Sequence, residues 1–277
     1  MKRQILKLKK IGFMIYCAND FRNERGKVMS FSVLLYHEIR EGRMMNTGQI
    51  SPIDVNQDYN DNLPAPLFNS LENFSEQMQY LYENGFHTLT LSEIKSYYYD
   101  NKPLPEKSVL LTFDDCYQSI GLYVYPILKK YQLQATLFVV TGWLNNIRRP
   151  FDPDKSVCMS EAELSDMSDV FEYANHTHSF HMREDQDTSK MMTAPDVEFI
   201  EDFTRCNEYS LIQAKDVFAY PFGLYSGRNV DVLRGEGFKL AFTCIPGKNE
   251  SGTDPLLLKR NVIPYFMDME AFKAVVE

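Results

Sequence analysis

The sequence predicts an α/β fold built on parallel strands, and three observations carry that expectation. Short apolar runs rich in β-forming residues alternate with helix-patterned segments from Phe31 to Thr243. One run, Leu110-Leu111-Thr112-Phe113, ends abruptly in Asp114-Asp115, and another leads into Asn175-His176-Thr177-His178-Ser179-Phe180-His181. Polar chemistry gathered at the C-terminal ends of strands is the habit of parallel α/β proteins. The chain has 277 residues, 44% of them hydrophobic, enough to bury a large core in one domain.

The elements follow in order. Phe31 to His37 is a β-rich run that delivers His37 at its end. Gly42 to Pro66 is polar, punctuated by Gly, Asn, Asp and Pro, and reads as a long loop or insertion of the kind that often serves function. Phe74, Met78 and Leu81 repeat at helical spacing and Asn84-Gly85 supplies a stop, predicting a helix over 71–84. A strand is expected over Phe86 to Leu91, then a helix capped by Ser92 that carries Ile94, Tyr97 and Tyr98. The strand Ser108 to Phe113 comes next, followed by a helix over 118–131 and the strand Ala135 to Val140. Ser160 and Glu163 form a capping box for a helix through Met167, ahead of a strand from Phe171 to Ala174. Pro195 opens a helix toward Leu211, Val217 to Tyr220 is a strand that ends at Pro221-Phe222-Gly223, a helix spans 228–234, and Lys239 to Thr243 is the last strand of the series.

Charge and cysteine usage narrow the function classes. A net charge of −9 disfavours nucleic acid or an anionic membrane as the main partner, and a neutral small molecule or glycan fits better. Five scattered cysteines without C-x-x-C spacing indicate neither a disulfide framework nor a thiolate zinc knuckle, and mildly favour a reducing compartment. Cys116 reads as a small buried hydrophobe. Basic residues before Ile11 to Ala18 give the outline of a signal peptide, too short and without a small-residue cleavage site. Residues 1–28 read as an extension, with Met29 as a natural start, and 29–277 as the domain. No window approaches the roughly twenty apolar residues of a membrane span.

Carboxylates and clustered imidazoles are a divalent-metal vocabulary, and three of the five histidines lie within six positions. Two imidazoles with one carboxylate make a three-ligand set that leaves a position open for water, and the second aspartate is then available as a base on that water. An aspartate pair alone is more often a capping turn. His37 alone would more often be a satisfied core residue, His87 reads as structural, and Glu198 to Asp202 as a solvated helix face. Tyr97-Tyr98-Tyr99 could line a sugar groove, although helical spacing favours burial of at least one ring.

Thr112-Phe113-Asp114-Asp115, His176-Thr177-x-x-x-His181 and Ala135-Thr136-Leu137-Phe138-Val139 together resemble the NodB-type polysaccharide deacetylases, over residues 30–265. The resemblance implies a distorted (β/α) barrel that removes N-acetyl groups from GlcNAc-containing glycans of the bacterial wall or surface with a divalent metal. Zinc is expected first, with cobalt, nickel or manganese as alternatives. The family usually draws its acid histidine from a late strand, but no histidine follows His181, and Leu35-Tyr36-His37-Glu38 stands at the front. That order resembles the circularly permuted branch that deacetylates poly-β-1,6-N-acetylglucosamine, a biofilm polysaccharide. Position by position, the resemblance implies Asp115, His176 and His181 as metal ligands, Asp114 as general base, His37 as general acid, and the Phe222 backbone N–H as an oxyanion donor. His178 either replaces His181 or points outward. Ala219 stands where an arginine often begins the late motif, so Asp114 needs another partner, with Arg260 a candidate. The resemblance also implies a cell-surface or wall location, against the cytoplasmic reading of the residues. A two-carboxylate glycosidase is disfavoured because adjacent strand residues point to opposite sides. A non-catalytic, metal-bearing glycan-binding protein, or a deacetylase of another N-acetylated sugar or of peptidoglycan, stays open.

Overall fold

The computed structural model describes residues 29–42 and 51–277; the signal-like segment and the proposed extension over 1–28 lie outside the described residues. The chain opens with β1 (Ser30–Tyr36), β2 (Glu38–Arg40), β3 (Ser51–Asp54), β4 (Asn62–Leu63) and β5 (Phe68–Ser70), then α1 (Leu71–Glu83), β6 (His87–Thr88) and α2 (Leu91–Tyr99). β7 (Ser108–Asp114) leads through a wide helical turn at Ile120–Val124 into α3 (Tyr125–Tyr131), followed by β8 (Ala135–Val139), β9 (Ser156–Val157), α4 (Glu161–Ser165) and β10 (Phe171–Asn175). The remainder runs α5 (Lys190–Thr193), α6 (Asp196–Asn207), β11 (Ala214–Ala219), α7 (Gly227–Gly235), β12 (Leu240–Phe242), β13 (Lys248–Glu250), β14 (Asn261–Val262) and α8 (Met269–Val276).

The main sheet has the order β12-β11-β10-β8-β7-β1-β13, with every pair parallel except β1 with β13. It curls, and one irregular segment spans the seam. Leu258 N–H donates to Ala241 O at 2.9 Å and Thr243 N–H to Leu258 O at 2.8 Å, so the segment first runs beside β12. Three residues later β14 pairs in parallel with β1, and Ile263 N–H donates to Leu35 O at 3.0 Å. Arg260 lies in the middle of this bridge.

Sequence explains most of these elements. β7 is buried along its whole length, as a continuous apolar run covered on both faces must be. Phe74, Met78 and Leu81 are the buried stripe of α1, whose Ser70 side chain caps the Asn73 N–H. The Ser160–Glu163 capping box forms as expected, and its helix stops at Ser165, two residues before Met167. Phe113 sits at the centre of the core, stacked on Tyr36 at 5.3 Å and edge-on to Phe171 at 5.8 Å.

Several expectations need correction. The strand expected from Phe86 to Leu91 is confined to His87–Thr88, because Thr90 rather than Ser92 caps α2 and forms a capping box with Glu93. The loop expected over 42–66 contains β3 and β4, and β3 also pairs with β9, forming a small three-stranded sheet. Burial is what helical spacing favoured for the tyrosine stretch, and Tyr97 and Tyr98 are buried, with their hydroxyls donating to Met29 O and Glu250 O. Truncating Phe113 to Ala removes the centre of the aromatic cluster and is expected to cost about 3–5 kcal/mol, read as a lower urea midpoint at unchanged slope.

Candidate active site

Register brings the predicted residues to one end of the sheet. Tyr36 pairs with Phe113, so His37 and Asp114 each follow a matched position on neighbouring strands. Asn175 pairs with Val139 on one side and Phe218 on the other, which sets His176 beside Ala219. Between them lies a cleft of about 450 Å³ whose walls include His37, Asp114, Asp115, His176, His181 and Phe222.

Backbone strain concentrates here. Seven non-glycine residues among those described have positive φ, and four belong to this end of the sheet: Asp115 (73°), Cys116 (62°), Thr177 (77°) and Phe222 (60°). Such conformations cost of order 1–3 kcal/mol each and persist only where their surroundings fix them. Around the aspartate turn, Asp115 N–H donates to Phe138 O at 3.3 Å and Met159 N–H to Cys116 O at 2.9 Å. Cys116 is fully buried, as read from the sequence, and burial pushes its thiol up, away from the thiolate form.

Three ligand-type atoms converge. Asp115, His176 and His181 each offer one donor atom, and the three lie within 4.8 Å of one another. Asp115 Oδ1 is 3.7 Å from His176 Nε2 and 3.3 Å from His181 Nε2. His176 Nδ1 is 2.8 Å from Ala219 O, an acceptor only, so Nδ1 carries the proton and Nε2 presents its lone pair to the centre. Burial lowers both histidines below the ordinary imidazole range, which keeps them neutral, the form in which imidazole binds metals. Asp115 is driven the other way: burial, then the charge of Asp114, pushes its carboxyl well above the usual range. Its Oδ1 is buried and without a hydrogen-bond partner, while Tyr117 donates to Oδ2 at 3.2 Å. An orphaned carboxylate oxygen beside the His176 lone pair and the Nε2 atom of His181 fits a divalent cation.

Asp114 is held differently. Arg260, with no exposed surface, donates from Nη1 to Oδ1 at 2.7 Å and from Nη2 to Oδ2 at 2.9 Å. Its Nε donates to Thr243 O at 2.9 Å, and its guanidinium lies 5.4 Å from the Phe138 ring centre. Burial would raise Asp114, but the Arg260 charge, with smaller contributions from His176 and His37, more than offsets it and holds the carboxyl below the usual range. Asp114 is therefore ionised beside the centre, with Oδ2 3.7 Å from His176 Nε2.

His37 is buried with Nδ1 unpaired, and burial holds its imidazole down at about 4, against an opposing pull from Asp114. His178 does not join the triad. Its Nδ1 lies 2.9 Å from Thr141 Oγ1, and its ring lines a separate polar cavity with Tyr209. Phe222 packs its ring 4.2 Å from that of His181, and the Arg183 guanidinium lies 4.2 Å from the Phe222 ring centre. His87 is remote and exposed, hydrogen-bonded to Glu93 at 2.8 Å.

Sequence reasoning missed two residues that shape the site, Tyr117 and Trp143, and misplaced a third, Asp202, on a solvated face. Tyr117 holds Asp115, Trp143 packs edge-on to His181 at 4.5 Å, and Asp202 is buried under the histidine loop. The expected solvated face from Glu198 to Asp202 is exposed only in part. Phe199, Asp202, Phe203 and Cys206 form the buried stripe of α6, and that helical spacing was the available signal.

Comparison with known proteins sets the class. Residues 101–241, just over half of the chain, match the family described as Polysaccharide deacetylase, and the chain belongs to that family of hydrolases. More particularly, it is 28% identical over 230 residues to a poly-beta-1,6-N-acetyl-D-glucosamine N-deacetylase of Staphylococcus aureus (strain MSSA476), spanning 78% of this chain and 73% of that protein. The fold is shared with the Streptococcus pyogenes deacetylase PplD in complex with acetate, at a TM-score of 0.71 and 21% identity, over 90% of this chain and 99% of that one. It is shared also with IcaB from Ammonifex degensii, at a TM-score of 0.66 and 23% identity, over 89% and 95% of the two chains.

Replacing Arg260 by Met leaves Asp114 buried without its partner and is expected to cost about 3–5 kcal/mol in chelator-treated protein at neutral pH. The folded Asp114 carboxyl lies below its unfolded value, so the stability from this pair is complete above about pH 4 and is lost as pH falls through the depressed folded value. Urea unfolding from about pH 7 down to about pH 2 should show that acid-side loss in the native protein and a shallower one in the variant.

Proposed function

We propose that this polysaccharide deacetylase hydrolyses the N-acetyl amide of GlcNAc residues in a β-1,6-linked bacterial surface polymer, with zinc as the metal. The observation that carries the reading is the pairing of two unlike aspartates: Asp115 faces His176 and His181 with an unpartnered oxygen, and Asp114 is kept ionised by Arg260. The linkage follows the named substrate of the relative at 28% identity. A cell-surface site of action goes with that polymer. Among the described residues no helix is long and apolar enough to cross a membrane.

Asp115, His176 and His181 would hold the metal, which when bound supplies Lewis-acid polarisation of the amide carbonyl and raises the acidity of water. Asp114 takes the proton from the attacking water. Its carboxylate is suited to that task because Arg260 fixes its plane through two hydrogen bonds. The Phe222 backbone, at φ 60° and ψ 4°, is the proposed N–H donor to the oxygen on which negative charge develops. His37 protonates the departing amine. Held at about 4, it stands neutral at rest, so the proton it delivers is one it first takes up: the water proton accepted by Asp114 is the one the amine finally carries, and negative charge growing in the same enclosed cleft favours its passage through His37.

Acetate release from N-acetylglucosamine oligomers, β-1,6 and β-1,4 linked, with chelator-treated protein before and after zinc is added back, tests the reading. Zinc-dependent release favouring the β-1,6 series is expected. Zinc uptake without release from either series would favour a glycan-binding scaffold instead. Asp114→Asn should lose roughly 10²–10⁴-fold in kcat while zinc uptake stays near that of the unmodified protein; retained turnover would remove Asp114 as the base.

A further inference from the structure

Two of the three converging donors are anchored very differently. His176 directly follows β10, and its ring is tied to Ala219 O on the next strand, so the sheet itself sets its position. His181 lies five residues farther on, in a segment that belongs to no strand or helix. One side chain from another element takes up consecutive backbone N–H groups of that segment. Asp202, on α6, accepts from His178 N–H at 2.8 Å through Oδ2, and from Ser179 N–H at 2.8 Å and Ser179 Oγ–H at 2.7 Å through Oδ1. It is 6% exposed, so its charge is matched by these three donors rather than by water.

Other contacts complete the clamp. Gly142 N–H donates to His178 O at 2.8 Å, and a Cβ on Gly142 would stand 2.4 Å from that oxygen, so the approach needs glycine. Gln57 Nε2 donates to Ser179 O at 3.1 Å. Asn175 Oδ1 accepts from Thr177 N–H at 2.8 Å, while its Nδ2 donates to Phe203 O and Asn207 Oδ1 on α6, both at 2.8 Å. Of these groups, only Asp202 takes up consecutive backbone N–H donors midway between the two histidines, and only it bears a charge.

We propose that Asp202 is a positioning residue that fixes His181, and hence the third metal donor, relative to Asp115 and His176. This rests on the metal-site reading above. An amide substitutes only in part: an asparagine side chain at this position would offer one acceptor oxygen and, in either orientation, would turn its NH2 group toward a backbone N–H, of His178 or of Ser179. Groups that orient metal ligands typically contribute 10–100-fold in affinity.

The test is zinc affinity of metal-free protein by competition with a chromophoric chelator, for the native protein, Asp202→Asn and Ser179→Ala, together with melting of the metal-free and zinc-loaded forms. Asp202→Asn is expected to weaken zinc binding by roughly 10–100-fold, with a smaller loss in the same direction for Ser179→Ala, which keeps the backbone contacts. Cobalt substitution should show an altered d–d spectrum in Asp202→Asn, and excess zinc should restore most of kcat. Unchanged zinc affinity in both variants, with equal drops in melting temperature for the metal-free and loaded forms, would mean that Asp202 only supports the fold and would overturn the proposal. If Asp202→Asn does not fold, Ser179→Ala decides alone by the same affinity criterion. Native protein that takes up no zinc would overturn the metal-site reading and this inference with it.

Discussion

A guanidinium with no exposed surface grips both oxygens of Asp114, and much of the molecule is arranged so that this can happen. A charge so deeply buried is tolerable only when its donors are used, and Arg260 uses Nε on Thr243 O and both terminal nitrogens on Asp114. The segment that carries it bridges the seam of the sheet, bonded to β12 at Leu258 and to β1 at Asn261–Val262. Closing the fold and fixing Asp114 are therefore achieved by the same few residues. The pair also separates the two adjacent aspartates electrically: one is stabilised as an anion, while the other, without a cation, is pushed toward its neutral form.

Geometry at the strand ends follows from parallel register and from strain. Parallel pairing aligns the last residues of β1, β7, β8, β10 and β11, so side chains distant in sequence reach one cleft. Within a strand, neighbouring residues would point to opposite faces. Positive φ at Asp115 breaks that alternation, which lets Asp114 and Asp115 both serve the same cleft. The cost is local and is offset by a densely bonded surround that includes Phe138 O, Met159 N–H and Tyr117.

The alternating pattern of strands and helices was readable because it rests on local periodicity and caps. α1, the Ser160–Glu163 box and the strand before the aspartates fall where the sequence put them. Short elements were less legible. β13 and β14 carry too few residues to show a period, and they exist because β1 offers them an edge. The polar stretch before Pro66 likewise shows no pattern, yet Ile53 and Asp54 pair with Ser156 and Val157, about a hundred positions away. The cap of α2 went to Thr90 because its hydroxyl and the Glu93 carboxylate complete a reciprocal box.

By itself the sequence determined the class of fold and picked out residues that the structure gathers in one cleft, since strand-end carboxylates and a histidine cluster are legible as residue types in a fixed order. His37 at the front was singled out by the resemblance to the permuted deacetylase branch, since no histidine follows His181. Only the tertiary structure decided which side chains serve which. That Arg260, a candidate from the sequence, does hold Asp114, that His178 turns to Thr141 instead of joining the centre, and that Asp202 underlies the histidine loop all depend on partners 146, 37 and 24 positions apart. Local sequence encodes propensity and pattern, whereas the pairing of buried polar groups is settled by which of them the packed core leaves facing one another.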